Sequence, residues 1–145
     1  MNDVEKLYRE VMNDHYKNPR NKGLLNKGLS CHKRNPSCGD DIIVEVEVKD
    51  GVITNIRHDE QGCLICCSSA SVMSEVLVGK TLDEAKELLG GFFEMLMGED
   101  VSELEDKLDE AMIYQGVSKY PARIKCATLP WKALEGALEG DEWEG

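Results

Sequence analysis

The sequence lacks any apolar run near the roughly 20 residues that a membrane-spanning helix needs. Its first residues, Met1 to Lys6, also lack the basic-then-apolar pattern of a secretory signal. No basic cluster interrupts a chain whose net charge is -11, so a nucleic-acid phosphate backbone would be repelled. We therefore expect a cytoplasmic protein that binds neither membranes nor nucleic acid.

Internal repeats, linkers and a strand–helix alternation are absent as well. The chain has 145 residues, of which 41% are apolar, and this is enough for one continuous core. We predict a single domain over residues 1–145, in which residues 139–145 form a flexible acidic tail. The order of patterns is a helix, then strands, then several helices. It predicts an α+β fold with helices covering one face of an antiparallel sheet.

The first half of the chain carries the strand signals. Apolar residues at helical spacing from Val4 to Tyr16 predict an opening helix, and the Asn-, Lys- and Gly-rich segment from Arg20 to Leu29 predicts a surface loop. Apolar and polar residues alternate from Ile42 to Lys49, and a second β-rich run extends from Val52 to His58. Asp50-Gly51 between the two runs predicts a hairpin.

The second half of the chain predicts helices. One extends from Cys63 to Gly79, and a capping box at Thr81–Glu84 begins the next. Ser102–Glu105 repeats that signal. A closing helix is predicted over Leu129–Leu138, where Pro130 indicates a start only a few residues earlier or a kink.

Six cysteines are present, and without an export signal they argue against a disulfide framework, because the cytosol keeps thiols reduced. Any one of them can be a small buried hydrophobe. Three of them, however, fall where the backbone is expected to be irregular. Cys38 lies in a turn before a strand, Cys63 lies between the hairpin and a helix, and Cys126 lies near the start of the last helix.

Cys126 has features that favour a thiolate. The positive end of the helix dipole and the neighbouring Arg123 and Lys125 all favour the charged form. With the Asp40 carboxylate, three thiolates would suit a tetrahedral Zn²⁺ site whose oxygen ligand exchanges more readily than sulfur. Because these residues are far apart in sequence, only the fold can bring them together.

Several motifs, in this order, resemble the U-type iron–sulfur cluster assembly proteins, the family of IscU, SufU and NifU N-terminal domains. The motifs are Leu7–Arg9, Asp14–Arg20, Cys38–Asp40, Gly62–Cys63 and Arg123–Cys126. The segment Gly90–Lys119 is similar to a helical insertion that distinguishes the SufU branch from IscU scaffolds. The likeness runs from about residue 3 to residue 139, and it identifies the chain as a SufU-type member.

This resemblance implies a three-stranded antiparallel sheet with helices packed on it. It also implies that Cys38, Asp40, Cys63 and Cys126 bind Zn²⁺. In SufU-like proteins a SufS-like cysteine desulfurase, which depends on pyridoxal phosphate, passes persulfide sulfur to the U protein. Cys38 is the implied acceptor, Asp40 would tune the release of a ligand, and downstream iron–sulfur carriers or scaffolds would receive the sulfur.

Two alternatives remain open. In IscU-like proteins the same three cysteines support iron binding and assembly of a [2Fe–2S] cluster. A His precedes the last Cys there, whereas this chain has Lys125, whose ammonium offers no lone pair to a metal. The third reading is a structural zinc module without sulfur chemistry.

Arg123 and Lys125 are candidates for steering thiolates or a partner protein. We expect the chain to be a sulfur acceptor or scaffold rather than a stand-alone enzyme.

The remaining cysteines and histidines have simpler interpretations. Cys66 and Cys67 fall on a helix face and predict packing. The alternative is auxiliary sulfur or oxidation chemistry, because Cys66 completes a redox-type Cys-x-x-Cys pair with Cys63. Cys31 has no counterpart in the family motifs and is interpreted as a thiol near a loop without a function.

Two histidines and one acidic run are also interpreted structurally. His15 is predicted to be packed and hydrogen-bonded, and His58 is predicted to lie on the surface at the end of a strand. The acidic run Glu99–Glu110 predicts an exposed helix face.

Overall fold

The computed structural model describes residues 3–139. The elements are α1 (Asp3–Lys17), β1 (Leu29–Asn35), β2 (Asp40–Lys49), β3 (Val52–Gln61), α2 (Leu64–Leu77), α3 (Leu82–Leu96), α4 (Glu105–Leu108) and α5 (Pro121–Glu139). Two 3₁₀ segments, Ser102–Leu104 and Asp109–Lys119, flank α4. The three strands form one antiparallel sheet in the order β1-β2-β3, and helices pack on it. The predicted α+β fold with a three-stranded sheet is therefore confirmed.

The central hairpin forms where the sequence predicts it. Asp50 and Gly51 connect β2 to β3 with φ angles of 53° and 76°, both in the left-handed region that a tight hairpin turn of this kind requires. Strand β3 continues to Gln61, three residues beyond the predicted end at His58. This extension brings the end of the hairpin to Gly62 and Cys63.

Strand β1 is missing from the sequence patterns, and only the family resemblance implies a third strand. The segment is Leu-Ser-Cys-His-Lys-Arg-Asn, which is largely polar because β1 is an edge strand. Its pairing with β2 puts Cys31 opposite Val44, and the Cys31 side chain is completely buried. The interpretation of Cys31 as a thiol near a loop is therefore wrong.

The core lies between the sheet and the helices α2, α3 and α5. Strand residues such as Ile42, Ile53 and Ile56 are fully buried under the helices. On the far side of the core Phe92 stacks on Trp131, with ring centroids 3.9 Å apart and an interplanar angle of 6°. This packing fixes α5 against the rest of the molecule, and α5 carries Cys126.

Helix α1 has one fully buried side chain, that of His15, while Tyr8, Val11 and Met12 pack against the core and are partly buried. The Nδ1 of His15 lies 2.7 Å from Ser71 Oγ on α2, and its Nε2 lies 3.0 Å from a carboxylate oxygen of Glu110. The prediction that His15 is packed and hydrogen-bonded is confirmed. The ring therefore joins three parts of the chain that are far apart in sequence.

Replacing His15 by alanine should lower the free energy of unfolding by about 2–3 kcal/mol, because a buried ring is lost and its partners on α2 and Glu110 stay behind. Urea unfolding followed by circular dichroism measures this change. The matched control is His32→Ala, since His32 pairs with Asp41 on the outer face and is partly exposed. That variant should lose less than about 1 kcal/mol. Equal losses in the two variants would contradict the anchoring role of His15.

The helical segment after α3 differs from the prediction. The capping box at Thr81 and Glu84 is present and confirmed. The second capping box, predicted at Ser102–Glu105, is absent. Ser102 donates its backbone N–H to Asp100 Oδ1, and no side chain caps the 3₁₀ segment Ser102–Leu104. Instead of one helix face over Glu99–Glu110, the chain forms short 3₁₀ and α turns whose acidic side chains are mostly exposed.

The last helix is longer than predicted. Helix α5 begins at Pro121, where a proline is favourable because its missing N–H falls at a helix start, and it continues through Pro130 to Glu139. The expected start close to Pro130 is wrong. Pro130 cannot donate the usual helical hydrogen bond to the carbonyl of Cys126, which lies one turn earlier. The predicted tail lies outside the described residues, except for Glu139.

Among residues 3–139, no helix is both long and apolar enough to cross a bilayer. The single domain over residues 1–145 stays a prediction. Within the described range, one hydrophobic cluster links the sheet with α2, α3 and α5.

Candidate metal centre

Cys38 lies in the turn that joins β1 to β2. The backbone N–H groups of Cys38 and Gly39 donate to the carbonyl of Asn35 at 3.2 and 2.9 Å, and Gly39 has a φ of 76°, which favours glycine. The turn leaves Cys38 exposed, whereas Cys63 is half-buried and Cys126 is buried. Cys38 is therefore the most accessible of the three predicted ligand thiols.

Asn35 supports this thiol and is a residue that the sequence reasoning missed. Its side chain is buried, its Nδ2 donates to Cys38 Sγ at 2.9 Å, and its Oδ1 accepts the N–H of Ser37 at 3.3 Å. An Asn before a Pro is a common turn signal, and it gives no indication that the amide contacts a thiol. The hydrogen bond orients the Cys38 sulfur toward Asp40.

Asp40 is the first residue of β2 and is 1% exposed. Its Oδ2 accepts a hydrogen bond from the Cys38 thiol at 2.9 Å, and its Oδ1 accepts the backbone N–H of Cys63 at 2.9 Å. One carboxylate thus connects the β1–β2 turn to the start of α2. The paired positions Asp41 and Gln61 bring the two ends of the hairpin together here.

Gly62 makes room for this carboxylate. A Cβ at Gly62 would overlap Asp40 Oδ1 and would lie 3.3 Å from Asp40 Cα. Gly62 is not among the described glycines with positive φ, so its requirement is one of space rather than backbone angle. The sequence motif contains Gly62, but the pattern alone does not say what it contacts.

Cys63 is the N-cap residue of α2, with φ and ψ of -73° and 167°. Its Sγ accepts the backbone N–H of Cys66 at 3.4 Å, as an N-cap serine oxygen would. The same sulfur lies 3.9 Å from Asp40 Oδ2. The prediction that Cys63 lies between strand and helix is confirmed.

Cys126 approaches the pocket from α5. It is fully buried, and its Sγ lies 3.3 Å from Cys38 Sγ. The donor atoms of Cys38, Asp40 and Cys126 all lie within 4.8 Å of one another, and Cys63 stands at the edge of this group. The fold thus brings all four predicted site residues to one pocket from three separate elements.

Three donor atoms, those of Cys38, Asp40 and Cys126, lie close enough to share one ion, and the Cys63 sulfur adjoins them at Asp40. With Zn–S and Zn–O bonds of about 2.3 and 2.0 Å, two sulfur ligands lie roughly 3.8 Å apart and a sulfur and an oxygen roughly 3.5 Å apart. The sulfurs of Cys38 and Cys126 are 3.3 Å apart, and Asp40 Oδ2 lies 2.9 Å from the Cys38 sulfur and 3.9 Å from the Cys63 sulfur. Three thiols and one carboxylate are also ligand types that suit Zn²⁺.

The protonation state of the thiols differs from expectation. Burial, followed by hydrogen bonding to Cys38 and Asp40, raises the pKa of Cys126. Burial and the hydrogen bond to Asp40 also raise the pKa of Cys38. The expected thiolate at Cys126 is therefore wrong for the protein alone, because Cys126 is the sixth residue of α5 and the dipole effect is confined to the first turn.

Arg123 and Lys125, which were expected to stabilise that thiolate, are both exposed. Lys125 lines a groove of about 440 Å³ between β1 and α5, next to the Asn35–Pro36 end of the pocket. Lys33 and Lys132 line the same groove. The fold thus gathers lysines that the sequence separates, although the chain as a whole is strongly acidic.

The other candidate residues lie outside the donor set. Cys66 is completely buried in the core, and Cys67 is half-buried with its pKa raised to about 11, mainly by burial. The prediction that His58 is a surface residue is wrong. Its ring is fully buried, with Nδ1 2.6 Å from a Glu60 carboxylate oxygen and Nε2 2.7 Å from the carbonyl of Arg20.

Residues 7–127 match the family described as NifU-like N terminal domain. The zinc-dependent sulfurtransferase SufU of Bacillus subtilis is 41% identical over 140 residues, which cover 97% of this chain and 95% of that protein. The iron–sulfur cluster assembly scaffold protein IscU of Streptococcus pyogenes serotype M1 is 36% identical over 139 residues, covering 96% and 87% of the two chains.

Solved structures show the same fold. A crystal structure described as that of a SUF-system iron–sulfur cluster assembly scaffold protein from Fervidobacterium islandicum superposes with a TM-score of 0.84 at 32% identity, covering 92% of this chain and 98% of that one. The N-terminal part of a nitrogen-fixing NifU-like protein from Brucella abortus gives a TM-score of 0.81 at 21% identity and supports the fold alone.

Proposed function

Since the chain belongs to the NifU-like N-terminal domain family, we propose that it serves iron–sulfur cluster assembly by binding Zn²⁺ and accepting persulfide sulfur on Cys38. One observation carries this proposal: an exposed thiol donates to a buried carboxylate and lies 3.3 Å from a buried thiol. That arrangement combines an accessible nucleophile with a donor set for a metal ion. The similarity to a zinc-dependent sulfurtransferase supports it.

The chemical step uses Cys38 and Asp40. Cys38 Sγ attacks the outer sulfur of the donor's persulfide and forms a new S–S bond, the donor's own S–S bond breaks, and the donor cysteine leaves as a thiolate. The hydrogen bond from Cys38 Sγ to Asp40 Oδ2, 2.9 Å long, places the attacking sulfur beside the carboxylate of the donor set. Asn35 Nδ2 holds the sulfur in this position through its 2.9 Å hydrogen bond.

Cys38, Asp40, Cys63 and Cys126 would hold the ion. A bound Zn²⁺ supplies the positive charge that keeps buried thiols deprotonated and protects them from oxidation. The raised pKa values of Cys38 and Cys126 make that charge useful, because loss of solvation at each sulfur, together with a hydrogen bond to Asp40, disfavours both thiolates when the protein is alone. Asp40 is the oxygen ligand, and it is the one that leaves the ion most readily.

The sulfur donor in this proposal is a pyridoxal-phosphate-dependent cysteine desulfurase of the SufS type, and downstream iron–sulfur carriers or scaffolds receive the sulfur. The groove that adjoins the pocket is lined by four basic residues, Lys33, Arg34, Lys125 and Lys132, and by two acidic ones, Glu135 and Glu139. Its excess of positive charge would attract an acidic segment of the desulfurase. Arg123 is exposed one turn before Cys126 and can act in the same way. The expected cytoplasmic location stays a prediction.

A cluster scaffold is the second candidate, because relatives named as IscU scaffolds are also similar along nearly the whole chain. In that function iron and sulfide are the cargo, and the same three cysteines would ligate a [2Fe–2S] cluster. Lys125 precedes Cys126 on α5, is exposed and lines the basic groove, so a metal ligand at that position is lacking. This favours the sulfur acceptor over the scaffold.

Anaerobic purification followed by metal and acid-labile sulfide analysis separates the two functions. We expect about one Zn²⁺ per chain without sulfide, since four donor atoms make one tetrahedral site. Iron with an equal amount of sulfide would instead establish the scaffold. Chelation then tests the third reading: a working site leaves a folded chain by circular dichroism, whereas a structural zinc module unfolds.

A further inference from the structure

Cys63 and Cys66 lie one helical turn apart at the N-terminus of α2. Cys63 is the N-cap residue and Cys66 is the third residue of the helix. The backbone N–H of Cys66 points at Cys63 Sγ, 3.4 Å away. The two cysteines therefore form a Cys-x-x-Cys motif on a helix start, and the donor-set chemistry above uses only the first of them.

The helix geometry suits a bond between these two sulfurs. Cys63 precedes the first helical residue and has extended backbone angles, and the 3.4 Å contact from the Cys66 N–H places its sulfur beside the Cys66 backbone. The Cys63 sulfur thus already lies beside the residue whose thiol it would bond, and the remaining step is a rotation of the Cys66 side chain.

The two thiols differ in accessibility. Cys63 is half-buried at the pocket, next to Asp40, while Cys66 is completely buried beneath it. Reagents in solution therefore reach Cys63 before they reach Cys66, and Cys66 reacts only with a group that is already bound to the Cys63 sulfur. An accessible thiol backed by a buried one is the arrangement in which the buried thiol breaks a bond formed on the first.

Cys67 does not share this arrangement, although it follows directly in the sequence. Its Sγ lies 3.5 Å from the carbonyl of Gly62 and lines a different pocket together with Lys22 and Glu60. Cys67 is also a half-buried thiol that is more accessible than Cys66. It is therefore the natural control residue for any claim about Cys66.

We propose that Cys66 is a resolving thiol that releases sulfide from a persulfide carried on Cys63. Cys66 Sγ attacks the inner sulfur of the Cys63 persulfide and forms the Cys63–Cys66 disulfide. The bond between the two persulfide sulfurs breaks, and the outer sulfur leaves as hydrosulfide, which takes up the thiol proton of Cys66 to give hydrogen sulfide. The outer sulfur is reduced and the two cysteines are oxidised, so the step needs no other reductant.

This inference deepens the proposed function and rests on it for the source of the sulfur. The sulfurs of Cys38 and Cys63 both lie against Asp40 Oδ2, at 2.9 and 3.9 Å. Cys63 attacks the outer sulfur of the Cys38 persulfide, the S–S bond at Cys38 breaks, and Cys38 leaves as a thiolate. A disulfide between Cys63 and Cys66 also removes Cys63 from the metal donor set. A dithiol reductant must then reduce the disulfide, with its own two thiols oxidised in exchange, before the site is complete again. Sulfide release and metal binding would thus exclude each other on the same chain.

The test uses the full chain, stripped of metal with a chelator and loaded with glutathione persulfide, so that no desulfurase takes part. After desalting, sulfide release is followed with time, and the tryptic peptide that spans Cys63, Cys66 and Cys67 is mapped by mass spectrometry. We expect wild type to release sulfide while this peptide loses the mass of two hydrogens. Cys66→Ser should keep the mass of one extra sulfur and release sulfide roughly tenfold more slowly or less, since its attacking thiol is gone.

The control Cys67→Ser should behave as wild type. Circular dichroism of Cys66→Ser and Cys66→Ala shows whether a loss of sulfide release comes from misfolding. The disulfide mapped in the wild-type chain tests the proposal without any variant. Sulfide release from Cys66→Ser at the wild-type rate, or a disulfide that joins Cys67 instead, would overturn the proposal. The two proposals can fail separately. If a desulfurase does not load the chain but glutathione persulfide still gives the Cys63–Cys66 disulfide, the proposed function is wrong and this inference stands.

Discussion

Replacing Cys38 by alanine should abolish the stimulation that the chain gives to turnover by a cysteine desulfurase. Cys38 is the exposed thiol of the pocket, and the nucleophile that it supplies has no replacement at the same position, because Cys63 and Cys126 are less accessible. Removal of an attacking nucleophile costs at least about a hundredfold in rate. We therefore expect stimulation to fall to the rate of the desulfurase by itself.

The measurement is alanine or sulfide production by the desulfurase from cysteine, with a reductant present, with and without the chain. Cys67→Ala is the matched control, since it removes a half-buried thiol whose sulfur lies outside the donor group. It should stimulate as wild type does. Unchanged stimulation by Cys38→Ala would defeat the acceptor role, even if that variant had lost its metal.

The fold was predictable from sequence where local chemistry determines it. Asp50 and Gly51 both adopt positive φ, so the turn signal and the hairpin agree. Thr81 and Glu84 cap α3 with the side-chain contacts that their spacing predicts. These two patterns succeed because the interacting groups are a few residues apart and need no tertiary partner, whereas the same signal at Ser102–Glu105 forms no side-chain cap.

Elements that depend on distant partners were not predictable in this way. Strand β1 is polar along most of its length, and its pairing with β2 decides that it is a strand. His58 occupies a strand position that looks polar in sequence, but Glu60 and the carbonyl of Arg20 satisfy its ring inside the core. Pro130 was misleading because α5 tolerates a proline within it when the rest of its face is packed.

The family motifs were enough to name the residues of the candidate site, but the sequence did not predict the contacts among them. Spacing in sequence gave no reason to place Cys126 next to Cys38, and the family motif alone suggested it. The supporting residues Asn35 and Gly62 act through contacts with Cys38 and Asp40 that no sequence pattern encodes. These contacts decide where the donor atoms lie, so they can be tested without touching any proposed ligand.

Gly62→Ala is the sharpest test of this kind. The added methyl group would overlap Asp40 Oδ1, so the carboxylate must leave its hydrogen bond to the N–H of Cys63. Gly62 is followed by Cys63 at the N-cap of α2, and a shift of the chain there would also move that sulfur. Because Asp40 and Cys63 would both be displaced, we expect Zn²⁺ affinity to fall about 10–100-fold, as for the loss of residues that orient ligands.

Competition with a chromogenic zinc chelator measures this affinity, and urea unfolding of the same samples reports stability. Gly90→Ala is the matched control, because a Cβ at Gly90 meets nothing within 4 Å and the residue lies within α3. It should keep wild-type Zn²⁺ affinity and gain up to about 1 kcal/mol of stability, since alanine favours the helix. If Gly62→Ala binds Zn²⁺ as tightly as Gly90→Ala does, the Asp40 carboxylate is not held in place by the space at Gly62, and its position as a ligand loses its structural support.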